Sequence, residues 1–178
     1  MRKSSLLAVA MGFVAGGLVV GGGVLTPGAA SASSTAAPAC SSAMLKVTVG
    51  RSQGTAGTIY YPIIFTNQSG STCSIYGVPM IQPVGVGRIS IGPVARNTSR
   101  GEMPASHTLK TGQSVSVAFG VIETGNYTPS TCVAKAARGA VVSMGSFLHN
   151  RYVHLNMLVC TKRASTTTHL ITAGVTGE

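Results

Sequence analysis

Thr58-Ile59-Tyr60-Tyr61-Pro62-Ile63-Ile64-Phe65-Thr66-Asn67 places large apolar side chains at every second position. An extended chain turns successive side chains to opposite faces, so Ile59, Tyr61, Ile63 and Phe65 share one face of a strand. Pro62 has no N–H for a ladder, which predicts an edge strand or a bulge at that point. Asn67-Gln68-Ser69-Gly70 then reads as a turn. Further along, Ser114-Val115-Ser116-Val117-Ala118-Phe119-Gly120-Val121 alternates strictly, with Val115, Val117, Phe119 and Val121 facing inward. Shorter segments at 44–49, 73–76, 80–84, 88–91, 139–144, 152–160 and 168–175 fit strands between Gly, Pro and polar breakers. Residues 92–106 are polar and loop-like, and 110–113 form a turn. About eight or nine short strands with no sustained helical period predict an all-β chain. The expected fold is an antiparallel, immunoglobulin-like β-sandwich. The chain has no Trp, so the Cys–Trp–Cys core of antibody domains is absent.

Composition excludes several functions. Among 178 residues, 13 are Lys or Arg and only 3 are acidic: Glu102, Glu123 and Glu178. With no Asp, neither a carboxylate-rich calcium loop nor a Ser-His-Asp triad can form. A two-carboxylate hydrolase would have to pair Glu102 with Glu123. Hydrophobic residues make up 44% of the chain, which argues against disorder.

The first residues fit an export leader. Arg2 and Lys3 precede an uncharged apolar run, and Ala30-Ser31-Ala32 offers a small-x-small cleavage site after Ala32. The competing reading is a retained membrane anchor, weakened by Gly16, Gly17 and Gly21 to Gly23. Lipidation at Cys40 is disfavoured by Pro38 and by the early end of the apolar run. The expected organisation is a signal peptide over 1–32, an extended lead over 33–42 and a sandwich over 43–178. The chain is expected to be secreted or held at the cell envelope, with no membrane span after the leader. Cys40, Cys73, Cys132 and Cys160 then fall in an oxidising compartment and predict two disulfides. Three connectivities are open, and Cys40–Cys73 with Cys132–Cys160 is favoured. No C-x-x-C occurs, which disfavours a redox motif or a zinc ribbon.

A set of local motifs resembles one family. Cys40 precedes a first strand carrying Met44-Leu45. Ile64-Phe65-Thr66-Asn67-Gln68-Ser69-Gly70 leads into Ser71-Thr72-Cys73-Ser74-Ile75-Tyr76-Gly77-Val78-Pro79. Leu109 and Gly112-Gln113-Ser114 introduce the alternating strand, and Cys132 and Val159-Cys160 close the set. This resembles the actinobacterial secreted domain of unknown function, family 4232, over roughly residues 40 to 175. The Ser69-Gly70 pair stands where that family often has one residue fewer. The resemblance implies export and fold, and it supplies no catalytic residues.

The remaining chemistry is sparse. His107, His149, His154 and His169, with Met44, Met80, Met103, Met144 and Met157, admit a copper-binding alternative, for which His154 and Met157 are the nearest pairing. Three positions apart on a strand, those two point to opposite faces. No G-x-S-x-G or S-x-x-K occurs, so no enzyme and no cofactor are expected. The basic excess gives a formal net charge of +10. Such a field attracts polyanions. Arg88, Arg96 and Arg100 bracket the 92–106 loop and are the candidate binding loop. Lys135 with Arg138, and Lys162 with Arg163, form two further pairs. Tyr127 and Tyr152 lie near basic residues, yet no alternation builds a nucleic-acid stacking platform. The expected role is a binding or interaction module for an anionic envelope component or another secreted protein.

Overall fold

The computed structural model describes residues 36–145 and 147–177. The expected leader and its cleavage site lie outside the described residues. Twelve strands follow in order: β1 (Leu45–Val49), β2 (Gln53–Thr55), β3 (Thr58–Asn67), β4 (Cys73–Ile75), β5 (Met80–Val84), β6 (Arg96–Asn97), β7 (His107–Leu109), β8 (Ser114–Ile122), β9 (Ala134–Met144), β10 (Leu148–Cys160), β11 (Thr166–Thr168) and β12 (Thr172–Ala173). A single helical turn, α1 (Pro129–Cys132), precedes β9, with Pro129 at its start. Among the described residues no helix is long and apolar enough to cross a membrane.

The chain is mostly β, in antiparallel sheets. The largest sheet runs β1–β3–β8–β11–β6, with β2 also beside β3 and β12 also beside β8. A second sheet runs β10–β9–β5, and β4 pairs with β7. One ladder departs from the antiparallel expectation: β11 and β6 run parallel. The alternating faces of β3 and β8 turn inward as their patterns require. Ile63, Phe65, Val117 and Phe119 are fully buried and share one core with Val142, Val153 and Val159 from the second sheet. At roughly 25 cal/mol per Å² of apolar surface, each such side chain contributes about 1.5–3 kcal/mol.

Pro62 does not mark an edge. β3 is interior, flanked by β8 along one side and by β1 and β2 in succession along the other. The Pro62 carbonyl accepts the Gly50 N–H at 2.8 Å. A paired residue turns its N–H and C=O to the same side. The missing donor therefore faces the gap between β1 and β2, where no ladder needs it. The interruption that Pro62 demands falls in the neighbouring strand.

Two further expectations are corrected. Residues 88–91 form no strand; Val86–Arg88 is a short 3-10 turn, and only Ser90 bridges back to Val84. The 92–106 segment is not wholly a loop. Ala95 is buried and its N–H reaches Ile81 O at 2.9 Å, β6 pairs with β11, and Ser99 Oγ accepts the Leu170 N–H at 2.8 Å. The lead is tied down as well, since Ser74 N–H donates to Pro38 O and Cys40 N–H to Ser74 O. Both disulfides form in the consecutive pairing, Cys40–Cys73 and Cys132–Cys160.

Candidate binding cleft

At the end of the molecule where β3 begins and β8 finishes, the core does not close. A cleft of about 790 Å³ opens there. Ile59 and Tyr61 of β3, Val121 of β8 and the turn Glu123-Thr124-Gly125 form one wall. Ala136, Ala137 and Arg138 of β9, with Asn156, Met157 and Leu158 of β10, form the other. The volume lies in the range of small-molecule sites, and a mainly apolar lining with a few polar groups is their usual make-up.

Local sequence explains the opening. Ala137, on the buried face of β9, carries only a methyl group, so it cannot fill the space opposite Ile59 and Tyr61. Between His154↔Gly139 and Met157↔Ala137, β10 carries one residue more than β9. Such a bulge bends and twists its strand and breaks the ladder beside the cleft. β5 pairs with β9 only from Gly139 to Ser143, so residues 134–138 have β10 on one side and no described strand on the other. Along β10 the alternation persists, with Met157 buried and Leu158 exposed beside it.

Charge is concentrated at this end. Arg138 lines the cleft, and Lys135 lies three residues before it on β9, opposite Val159. Lys162 follows β10 and is tied back by its N–H to Cys132 O at 3.3 Å. The Arg163 guanidinium stacks 4.3 Å from the ring centroid of Tyr127, directly after the turn that lines the cleft. All four cations are exposed. The ladder between β9 and β10 thus sets at one end two pairs that the sequence shows 27 residues apart, from Lys135 to Lys162. The one contact between a carboxylate and a basic side chain among the described residues joins His169 Nε2 to Glu102 Oε1 at 3.3 Å, so Glu123 and Arg138 have no salt-bridge partner there.

The residues singled out in the sequence are scattered by comparison. Arg88 stacks on Tyr152 at 5.0 Å, beside the second sheet. Arg96 lies on β6 in the large sheet, paired with Thr167, and lines a shallow depression with Thr58, Tyr60 and His169. Arg100 is exposed in the loop beyond β6. Glu102 and Glu123 do not share a cleft, since Glu102 is held by His169 and Glu123 lines the inter-sheet opening. Among the described residues no three His, Cys, Asp or Glu side chains gather to hold a metal. His154 is exposed and Met157 buried, as their spacing requires, so copper ligation by that pair is not favoured. The cleft itself was hidden in the sequence. Ile59 and Tyr61 read there as core, and nothing in the alternation marks a gap opposite them.

The model of one family, described as a domain of unknown function (DUF4232), matches residues 40–172. The chain belongs to that family. Its span begins at the first disulfide cysteine and ends in β12, so the DUF4232 domain includes both disulfides and the whole cleft. No curated protein and no solved structure matches the chain.

Proposed function

We propose that the chain is an exported, non-enzymatic binding module with an immunoglobulin-like sandwich architecture, acting at or outside the cell envelope, and that the inter-sheet cleft is its recognition site. The cleft carries the reading: an apolar cavity of about 790 Å³, open to solvent and rimmed by unpaired charged groups. Two disulfides suit an oxidising compartment. General acid–base hydrolysis by paired acids needs a second carboxylate near Glu123, and Glu102 is engaged elsewhere.

An uncharged environment-sensitive dye such as Nile red tests the reading. The dye is expected to bind saturably at one site, with its emission shifted to the blue. Ala136→Trp adds bulk to an exposed position on the cleft wall and is expected to abolish that binding while leaving the melting temperature within a few degrees. Dye binding that survives Ala136→Trp contradicts the assignment.

A further inference from the structure

The geometry points to a ligand class for this cleft: a single-chain amphiphile with an anionic head, its apolar chain between the sheets and its phosphate or carboxylate on the basic rim. The inference rests on the cleft being the recognition site. Two observations select the ligand, and neither is the cavity alone. The first is chemical division within the site. Ile59, Val121, Met157 and the two alanines offer no hydrogen bond, while Arg138 sits among them at the lining. The second is an excess of positive charge at that end of the β9–β10 ladder. Lys135, Lys162 and Arg163 join Arg138 at the same end, against the single carboxylate of Glu123.

Physical chemistry then orders the candidates. A neutral apolar ligand can fill the cleft but offers the Arg138 guanidinium no anion, so it binds less tightly than an anionic amphiphile with the same chain. A cationic amphiphile would meet the like charge of Arg138, with three further cations at the same end of the ladder. An anionic head gains charge-assisted hydrogen bonds from Arg138, whose planar fork matches phosphate and carboxylate oxygens. Lys135 and Lys162 act at longer range as mobile point charges, and their share is screened by salt. Arg163 is partly committed to the Tyr127 ring, so it fixes the turn that lines the cleft as well as adding charge. Glu123 opposes the anion, and Glu123→Gln should tighten binding.

The test is displacement of bound Nile red by dodecyl phosphate or by dodecyltrimethylammonium, both below their micellar concentrations, which share one chain and differ in head. Dodecyl phosphate is expected to displace the dye at a concentration lower by about tenfold or more, roughly 1.4 kcal/mol. The preference should shrink as salt rises and vanish in Arg138→Gln/Lys162→Gln. Both positions are exposed, so the double variant should fold, and a melting temperature within a few degrees of the parent confirms that. Equal displacement by the two amphiphiles overturns the anionic head while leaving the cleft as the site. Failure of Nile red to bind overturns the cleft reading and this inference with it. Binding seen with vesicles of anionic phospholipid but never with monomeric dodecyl phosphate also overturns it, because the rim would then be attracting a surface and the cleft would hold no chain.

Discussion

Asn67 closes β3 with its side chain fully buried and every polar atom of it used. Nδ2 donates to Ser71 O at 2.8 Å and to Leu109 O at 2.9 Å, while Oδ1 accepts from the Ser69 N–H at 2.9 Å and the Ser69 hydroxyl at 2.7 Å. One amide thus shapes the 68–71 turn and fastens it to β7. The sequence shows the turn at once, because Asn, Ser and Gly are its usual residues. It does not show Leu109, which lies 42 residues away. Asn67→Ala leaves the Leu109 carbonyl without its partner and should cost about 2–4 kcal/mol, read as a lower midpoint in denaturant at constant slope. Gly92 carries a similar hidden constraint. It has φ of 64°, and a Cβ there would stand 2.2 Å from the Cys160 carbonyl oxygen. Gly92→Ala should therefore destabilise by about 2 kcal/mol or more, through both strain and displacement of the end of β10. In the sequence Gly92 is only a breaker before a polar stretch, since nothing local reveals that β10 passes against it.

Among the elements, the long alternating strands were the most legible. β8 buries Val115, Val117, Phe119 and Val121 as its period of two demands. Its other face was not legible. Ser116 is also buried, because the C-terminal segment returns across it: Gly177 N–H donates to Ser116 Oγ at 2.8 Å and Thr172 Oγ1 to Ser116 O at 3.3 Å. The span expected as one strand over 168–175 is two short strands, both on β8, separated by residues 169–171. The β9–β10 hairpin shows how an element positions the site. Cys132–Cys160 fastens its open end, and the cleft residues 136–138 and 156–158 lie just inside that fastening. Cys132→Ala/Cys160→Ala should lose about 2–4 kcal/mol of stability and weaken Nile red binding, because the cleft wall loses its anchor. Cys40→Ala/Cys73→Ala should lose a comparable stability, measured by thermal unfolding, while leaving dye binding nearly intact. That bridge fixes the lead to β4, away from the cleft.

For the whole molecule, charge was countable in the sequence and its placement was not. The excess of 13 basic over 3 acidic residues gives a formal net charge of +10. Arg88, Arg96 and Arg100 drew attention because they are neighbours along the chain. Folding separates them, with Arg88 on Tyr152 beside one sheet and Arg96 in the ladder of the other. The cations at the cleft end belong to residues 135–138 and 162–163, set side by side in the fold only once β9 pairs with β10. Cavities are harder still to read from sequence. A cleft is a deficit of volume between elements, and a pattern of apolar residues records which face turns inward but not whether the inward faces meet. The most direct measurement is therefore a residue-resolved map of amide chemical shifts as dodecyl phosphate is titrated into the isotopically labelled protein. The account predicts saturable changes concentrated at residues 59–61, 121–125, 136–138 and 156–158. Changes centred instead on Arg88, Arg96 and Arg100, with the cleft residues unmoved, would contradict it.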